Sequence, residues 1–364
     1  MALIKAAVKI GYEQTEIREF ERPALRSDTG LLKVDATGVG GSDPELYRMA
    51  KHTPAIMGHE IVGTIDEAGE IFAARWGLKP GDRIALHEYQ PCHHCPRCME
   101  GNHRLCPRTD IFGSGKPQRY GQMDCLDAPH LFGGYAQYAF LPSQILFHRL
   151  PDDMPAHLAT LAVPLGNGWQ WAVLEGGAGP GKTVVVFGPG QQGLGCVLAA
   201  REAGAARVIL VGKGPRDRAR LDLALRLGAD DVIDADDGQV ESRLMAMSGG
   251  RGVDVVVDTT GDPEGAIAQM AVAIAAPFAQ LNLNGLDHAV PLRPLKSRSL
   301  IVRAPRGRTW KAVDLALRTI GSGRWPLDEM CTHRFALADT HLAILATAGR
   351  EVDGAIHVVV EPWK

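Results

Sequence analysis

The stretch Val184-Val185-Val186-Phe187-Gly188-Pro189-Gly190-Gln191-Gln192-Gly193 decides the fold of this chain. Four apolar, β-prone residues lead directly into Gly-x-Gly-x-x-Gly, and the residues that follow have helical spacing. In such a turn the first glycine permits the tight bend, the second lets the backbone approach a pyrophosphate, and the third allows close packing of helix on strand. The helix N-terminus then faces the phosphates. The motif therefore predicts a dinucleotide site, and a plain strand-to-helix turn is the alternative.

Strands and helices alternate on both sides of this turn. The pattern predicts strands at 183–187, 207–211, 253–258, 278–282 and 299–303, and helices at 192–203, 218–227 and 263–275. Alternation of this kind is typical of an α/β fold with a doubly wound parallel sheet, in which helices cover both faces.

The first part of the chain has a different character. Short β-prone runs at 30–39, 61–68, 83–88 and 136–140 are separated by Gly and Pro, which predicts a compact β domain. Near Pro151 the pattern becomes helical, and a last strand at 355–360 should rejoin the first domain. We therefore expect one domain from 1–152 and 305–364, and a second from 153–304.

Composition limits the possible partners. The chain has 364 residues, 45% hydrophobic and 22% charged, with a net charge of -3, which argues against general affinity for nucleic acid or an acidic membrane. No apolar run is long enough for a bilayer, and the N-terminal segment is typical of a strand rather than a secretory signal. These features, together with seven cysteines of which four are clustered, predict a cytoplasmic protein acting on a small molecule.

Four cysteines have the spacing of a metal site. Cys92, Cys95, Cys98 and Cys106 follow the pattern Cys-x2-Cys-x2-Cys-x7-Cys on a loop with little apolar content. Four thiolates suit tetrahedral Zn²⁺ and leave no open position, so the predicted zinc is structural. Unrelated surface cysteines and an iron–sulfur cluster are the alternatives.

The end of the next strand bears on the choice between NAD and NADP. An NAD site usually ends this strand in an acid that binds the ribose hydroxyls. Here the strand 207–211 ends in Gly212, with Lys213, Arg216 and Arg218 nearby. The sequence favours a 2′-phosphate and therefore NADP(H), with a solvated basic loop as the alternative.

Taken together, these motifs resemble the zinc-containing medium-chain alcohol dehydrogenases along nearly the whole chain. Besides the cysteine loop and the glycine turn, the matching segments are Gly41-Ser42-Asp43, Gly58-His59-Glu60, Lys79-Pro80-Gly81-Asp82-Arg83 and Gly133-Gly134-Tyr135-Ala136. The resemblance implies a GroES-like β domain, a Rossmann domain and an active site in the cleft between them. The candidate cofactor-binding residues are Asn167, Gly188, Gly190, Gln191, Gly193, Gly212, Lys213 and Arg216.

The chain departs from this family where a catalytic zinc is typically bound. The family holds that zinc through a cysteine, the histidine of Gly-His-Glu, and a Cys, Asp or Glu before Pro-Leu. Here Gly40 and Val163 occupy the first and third places, and only His59 is retained. Since a catalytic zinc normally has three protein ligands, we expect none here. Further ligands are conceivable, but no spacing argues for the candidates Glu45, Glu67 and His87.

Without that metal, side chains must supply the proton and stabilise negative charge. Ser42 matches the family's proton-relay hydroxyl, Glu45 stands where many members have a relay histidine, and Tyr47 is a further donor. His59 is a candidate acid; the alternative is a histidine without a catalytic role, hydrogen-bonded by Asp43 or Glu60. The predicted catalytic residues are Ser42, Glu45, His59 and Glu60.

These residues predict an NADP(H)-dependent oxidoreductase with a structural zinc only, which reduces an activated double bond or a carbonyl by hydride transfer. Two alternatives remain: a zinc-dependent alcohol dehydrogenase with unusual ligands, and a non-catalytic NADPH-binding protein. The resemblance also implies a homodimer or homotetramer, paired through the strand near 299–303.

Overall fold

The computed structural model describes residues 3–49, 54–262, 264–284, 290 and 292–364. Its strands, in chain order, are β1 (Ile4–Gly11), β2 (Gln14–Phe20), β3 (Gly30–Gly38), β4 (Ala55–Ile56), β5 (Glu60–Ala68), β6 (Arg83–Leu86), β7 (Tyr138–Leu141), β8 (Phe147–Arg149), β9 (Thr183–Phe187), β10 (Arg207–Gly212), β11 (Asp231–Asp234), β12 (Val253–Asp258), β13 (Ala275–Asn282), β14 (Ile301–Arg303), β15 (Cys331–Ala336) and β16 (His357–Glu361).

The α-helices are α1 (Asp43–Arg48), α2 (Glu70–Trp76), α3 (Pro96–Met99), α4 (Ala156–Ala159), α5 (Ala162–Gly168), α6 (Gln191–Glu202), α7 (Gly214–Arg226), α8 (Val240–Met247), α9 (Ala266–Ile274), α10 (Leu292–Arg298), α11 (Trp310–Gly321) and α12 (Thr340–Thr347). A π-helix, Trp169–Leu174, follows α5 directly. Short 3₁₀ turns lie at His103–Leu105, Ala235–Asp237, Leu327–Glu329 and Leu337–Asp339. No helix of the described ranges has both the length and the apolar character needed to cross a bilayer.

The chain divides into two compact units. The first contains Met1–Val163, Thr309–Gly321 and Met330–Lys364, and the second contains Pro164–Arg308 and Ser322–Glu329. The division after Val163 lies later than the boundary that the sequence suggested at 152, because α4 belongs to the first unit.

The first unit is built on two β-sheets. The larger has the order β15-β16-β3-β5-β6-β8, with β7 also pairing with β3, and the smaller has the order β2-β1-β4. β3 lies in the middle of the larger sheet and is buried on both faces: Leu31 packs into one apolar cluster, and Leu32 and Val34 pack into another. As predicted, the last strand, β16, joins this unit by pairing antiparallel with β3.

The second unit contains the predicted parallel sheet. Its six strands have the order β11-β10-β9-β12-β13-β14, and every neighbouring pair is parallel. The strand order turns at β9, which the glycine turn follows directly, and ligands bind at such switch points beyond the carboxyl ends of the strands. The doubly wound fold is therefore confirmed.

Sequence patterns missed some elements. β11, with the sequence Asp231-Val232-Ile233-Asp234, went unrecognised because charges at both ends leave a very short apolar run. α8, which follows it, was missed too. The predicted helix at 263–275 is observed as α9 from Ala266, and its expected first residue, Pro263, lies outside the described residues.

Candidate functional site

A buried carboxylate organises the polar site of the first unit. Asp43, at the start of α1, is 1% exposed. Its Oδ2 accepts hydrogen bonds from the Tyr135 hydroxyl at 2.6 Å and from the backbone N–H of Gly40 at 3.1 Å. Its Oδ1 lies 3.1 Å from Nδ1 of His59. Two donors thus fix one oxygen of Asp43 and leave the other for the imidazole.

The imidazole of His59 is held in its charged form. Burial by itself lowers the pKa of His59, but the charge and hydrogen bond of Asp43, with the charges of Glu88 and Glu60, outweigh burial and raise the pKa to about 9. At neutral pH the ring is therefore an imidazolium. Because Nδ1 faces Asp43, Nε2 is the nitrogen whose proton can be donated.

Gly40 and Val163 occupy the two places where the family typically has zinc ligands. At Gly40, a Cβ would overlap the imidazole of His59 and lie 2.6 Å from its Nε2. The ring thus fills the space that a cysteine side chain at residue 40 would need. Val163 lies buried in α5. Neither residue has a ligand atom in its side chain.

Glu60 is the first residue of β5 and is 2% exposed. Its carboxylate lies against the end of β3 and the residues that follow it: a Cβ at Gly38 would overlap Oε2, and a Cβ at Gly40, two residues after β3, would lie 3.3 Å from Oε1. Oε2 is 4.0 Å from Nδ1 of His357 on β16. The absence of a side chain at Gly38 therefore makes room for Glu60 in the sheet.

Ser42 and Glu45, the other two predicted catalytic residues, are exposed, whereas the further donor considered at Tyr47 is not. Ser42 precedes α1 without forming a side-chain cap, and Glu45 lies on the exposed part of α1. Tyr47 is buried, and its hydroxyl lies 2.6 Å from Oγ1 of Thr15 and 2.8 Å from Nδ1 of His341. The hydroxyl of Tyr47 therefore forms its hydrogen bonds with Thr15 and His341 rather than with Asp43.

Two of the residues considered as extra metal ligands are occupied elsewhere. Nε2 of His87 is 3.0 Å from Nδ1 of His148, and Glu67 forms an exposed ion pair with Arg22. Among the described residues, one group of three or more His, Cys, Asp or Glu side chains is close enough together to hold a metal ion, and it consists of the four predicted cysteines.

Sequence reasoning missed two partners of this site. Tyr135 was noted within Gly133-Gly134-Tyr135-Ala136, but its hydroxyl was not connected with Asp43, which is 92 residues away in sequence. Arg119 forms a buried ion pair with Glu88 and lies over the ring of Tyr89. No local pattern in the sequence indicates either contact, because the partners come from separate loops.

The cysteine loop has the geometry of a four-thiolate site. The sulfur atoms of Cys92, Cys95, Cys98 and Cys106 all lie within 4.8 Å of one another. Burial raises the pKa of Cys92, but N–H groups of His94 and Cys95 lower it to about 6, whereas burial raises the pKa of Cys98 and Cys106. Four converging sulfurs with donors to the thiolate fit a tetrahedral zinc.

The glycine turn of the second unit fits a nucleotide. Gly188 has φ +97°, a left-handed conformation that favours glycine, and a Cβ at Gly193 would overlap the carbonyl oxygen of Gly188. At Gly190, which precedes α6, no atom lies within 4 Å of the position of a Cβ. The turn therefore leaves open space at the N-terminus of α6, where a pyrophosphate binds in such motifs.

Two exposed cations lie just after β10, Lys213 immediately before α7 and Arg216 in its first turn. Lys213 and Arg216 are exposed, and neither forms an ion pair with any residue that the structure describes. Sequence reasoning overlooked one acid here: Asp217 is buried, and its Oδ2 accepts the backbone N–H of Lys213 at 2.9 Å. That carboxylate is committed to the turn, so the two cations remain available.

Two further predicted residues are buried. Gln191 is the first residue of α6 and is 5% exposed. Asn167 in α5 is also 5% exposed, and its Oδ1 has no hydrogen-bond partner among the described residues. A buried acceptor without a donor is costly, so Oδ1 of Asn167 is a candidate contact for a ligand N–H group.

A cavity of about 590 Å³ lies at the carboxyl ends of β9 and β10, between α8 and α9. It was not anticipated from the sequence. Its lining residues are Phe187, Val211, Ala235, Gly238, Gln239, Val240, Glu241, Ser242, Met245, Ala266, Ile267 and Met270. The walls are mainly apolar, and the glycine turn and Gly212 follow two of the lining strands, so the cavity suits a flat, apolar ring system.

Two sequence families match the chain. The family described as alcohol dehydrogenase GroES-like domain matches residues 26–152, and the family described as zinc-binding dehydrogenase matches residues 193–316. A protein of Mycobacterium tuberculosis described as an alcohol dehydrogenase is 35% identical, over 99% of each chain. An L-threonine 3-dehydrogenase of Pyrococcus abyssi is 30% identical, over 92% of this chain and 91% of its own.

Solved structures share the fold. An alcohol dehydrogenase from Thermotoga maritima superposes with a TM-score of 0.85 at 24% identity, over 100% of both chains. A protein described as a zinc-binding dehydrogenase from Sinorhizobium meliloti, bound to NADP, has a TM-score of 0.83 at 25% identity, also over 100% of both chains.

Proposed function

The chain belongs to the zinc-type medium-chain dehydrogenases, and we propose that within this oxidoreductase family it is an NADP(H)-dependent reductase whose zinc is structural only. Its substrate would be a small molecule with a carbon–carbon double bond conjugated to a carbonyl. The observation that carries the proposal is the charged imidazole of His59, held by Asp43 in the space that a side chain at residue 40 would fill.

The structural zinc would be bound by Cys92, Cys95, Cys98 and Cys106. Bound there, it would order a loop with few apolar contacts, since a closed four-thiolate site contributes folding free energy rather than catalysis.

The cofactor would supply the hydride. The apolar cavity between α8 and α9 would receive the adenine ring, and the open space at Gly190 would receive the pyrophosphate. Lys213 and Arg216 would bind the 2′-phosphate, which no acid at Gly212 repels. The unpaired Oδ1 of Asn167 would accept an N–H of the nicotinamide carboxamide.

The chain's own residues would supply the proton. As hydride reaches the β-carbon of the substrate, negative charge develops on the carbonyl oxygen, and the imidazolium of His59 stabilises it. The α-carbon then receives one proton, for which Nε2–H of His59 is the source and Ser42 and Glu45 are the proposed relay to solvent. The balance is one hydride and one proton added across the double bond, with NADPH oxidised to NADP⁺.

The protonation state of His59 favours reduction over alcohol oxidation. Alcohol oxidation requires a base, and an imidazole whose pKa is about 9 is already protonated at neutral pH. The second candidate activity is carbonyl reduction by the same residues, because relatives are described as alcohol and polyol dehydrogenases, including an erythritol/L-threitol dehydrogenase of Mycolicibacterium smegmatis that is 28% identical.

A matched panel tests the proposal. NADPH oxidation should be measured with enones and enals, and with their saturated ketones and aldehydes as controls. We expect the conjugated members to be reduced with kcat/KM at least about tenfold above the saturated ones. Faster reduction of the saturated carbonyls would favour an alcohol dehydrogenase, and tight NADPH binding without turnover would favour a non-catalytic protein.

We also propose that the chain forms a homodimer through β14. This strand is at one edge of the parallel sheet, and all three of its residues are exposed. An unpaired edge invites strand pairing, and symmetric pairing of two copies would remove it. Light scattering should give at least twice the monomer mass, and Val302→Pro, which removes an N–H from the edge, should shift the protein toward monomer.

A further inference from the structure

The first glycine of the nucleotide turn contacts the strands on both sides of β9. The N–H of Gly188 donates to the carbonyl oxygen of Val211 on β10 at 2.9 Å. On the side of β12, the backbone ladder ends where the N–H of Thr259 donates to the carbonyl oxygen of Phe187 at 2.9 Å. The hydroxyl of Thr259, a donor with one proton, lies 2.8 Å from that oxygen and 3.0 Å from the carbonyl oxygen of Gly188. A side-chain hydroxyl thus continues the ladder by one residue, into the turn.

The carbonyl oxygen of Gly188 fills a gap beside α6. A Cβ at Gly193 would overlap this oxygen and would lie 3.0 Å from Oγ1 of Thr259. The oxygen is more than 4 Å from the position of a Cβ at Gly190, where the turn leaves open space. The carbonyl therefore points into the gap between Gly193 and Thr259 and not into that open space.

This orientation matters for an anionic ligand. Backbone N–H groups attract a phosphate, whereas carbonyl oxygens, which carry a partial negative charge, repel it. The peptide after Gly188 has no N–H, because its nitrogen belongs to Pro189. Reversal of this peptide would bring the oxygen out of the gap without offering a donor in exchange. Glycine restrains its own backbone less than other residues do, so the carbonyl needs a partner to hold it, and Thr259 provides one.

We propose that Thr259 is a positioning residue of the nucleotide site, whose hydroxyl holds the carbonyl oxygen of Gly188 in the gap at Gly193. The inference rests on the proposed binding of the pyrophosphate beside Gly190, and it does not depend on the reaction at His59. Thr259 acts through the shape of the turn. Loss of its hydroxyl should therefore weaken every nucleotide that has a pyrophosphate, with or without a 2′-phosphate.

The test measures nucleotide binding to the zinc-loaded protein, without turnover. Thr259→Val replaces the hydroxyl by a methyl group, so it removes the hydrogen bond and keeps the branched side chain. We expect calorimetry to give a Kd about 5- to 30-fold higher for NADPH and for NADH alike, because the carbonyl oxygen of Gly188 loses its donor. Thr259→Ser, which keeps the hydroxyl, should bind both nucleotides within about twofold of the unmodified protein.

A control ligand separates positioning from general damage. Adenosine 2′-monophosphate retains the adenine ring and the 2′-phosphate but lacks the pyrophosphate, so its Kd should be the same for Thr259→Val and the unmodified protein.

Three results would overturn the inference: unchanged NADPH binding in Thr259→Val, an equal loss in Thr259→Ser, or an equal loss of adenosine 2′-monophosphate binding in Thr259→Val. A loss confined to NADPH, which is the expectation for changes at Lys213 and Arg216, would also overturn it. Unchanged NADPH binding in Gly190→Ala would instead contradict the proposed position of the pyrophosphate.

Discussion

The imidazole of His59 occupies the space into which a side chain at Gly40 would extend, since a Cβ there would lie 2.6 Å from Nε2. The glycine is therefore more than a lost ligand, because it allows a protonated ring to pack against Asp43. An imidazolium in this place supplies one positive charge and one proton, which a catalytic metal ion and its bound water would otherwise provide.

Adding a single methyl group at residue 40 should damage this arrangement. We expect Gly40→Ala to displace the ring of His59, to lower kcat by about 10- to 100-fold and to lower the free energy of unfolding by about 1–3 kcal/mol. Steady-state kinetics and urea denaturation measure the two effects. Gly190→Ala is the control, because no atom lies within 4 Å of its Cβ position; it should preserve stability while weakening NADPH binding. Equal kcat in Gly40→Ala and the unmodified protein would contradict the packing argument.

The reaction should depend on pH through His59. The imidazolium loses its proton as the pH rises through about 9, so kcat should be constant from pH 7 to 8 and fall about tenfold per unit well above 9. A pH profile at saturating NADPH measures this fall. His59→Gln should have a low kcat that does not fall further above pH 9. If kcat of this variant still falls as in the unmodified protein, a group other than His59 donates the proton.

Stability should depend on pH in the same direction. The folded-state pKa of His59, about 9, lies above its ordinary value of 6.5, so its contribution is complete below about 6.5 and is lost as the pH rises through 9. The unmodified protein should therefore lose more stability between pH 7 and 10 than His59→Gln does. Urea midpoints of both proteins at these two pH values provide the comparison, and equal losses would argue against a charged His59.

The cysteine loop should matter for folding rather than chemistry. Cys98→Ser removes one ligand of the closed site, and we expect a lower melting temperature with kcat changed less than about threefold at a temperature where the variant is folded. Cys125→Ser is the control, because this buried cysteine lies outside the cluster and should leave the zinc content unchanged. A variant at Cys98 with normal stability and no zinc would contradict the structural role.

Cofactor choice should depend on the cations after β10. Lys213→Ala and Arg216→Ala should each raise KM for NADPH about 3- to 30-fold while leaving KM for NADH nearly unchanged. Arg218→Ala is the matched control, because Arg218 is engaged with Asp222. Gly212→Asp should favour NADH; its Cβ would lie 3.0 Å from Leu221 and Pro189, a tight but adjustable fit. Equal kcat/KM for the two cofactors in the unmodified protein would refute this assignment.

The features predicted from the sequence are those whose residues are close together in it. The glycine turn needs only the run from Val184 to Gly193, and the four cysteines lie within one loop, so local spacing predicted both. The parallel sheet followed from alternating apolar runs, except for β11, where two aspartates enclose only two apolar residues.

The contacts that the sequence did not reveal join distant segments. Tyr135 donates to Asp43, and Nδ1 of His357 on β16 lies 4.0 Å from Oε2 of Glu60 on β5, because the fold brings these distant segments of the chain together around β3. Residue types alone did not indicate these contacts. The sequence shows that residues 38 and 40 are glycines, but which side chains pack against them depends on the register of β3, β5 and β16.

Zinc stoichiometry measured together with activity tests the central claim most directly. Protein purified with zinc should be analysed for metal and assayed with NADPH and an enone before and after a mild chelator that spares the four-thiolate site. The account predicts one zinc per chain, bound by the four cysteines, with activity unchanged by the chelator. Two zincs per chain, with the second lost in His59→Ala and activity lost with it, would contradict the account and identify a zinc-dependent alcohol dehydrogenase with unusual ligands.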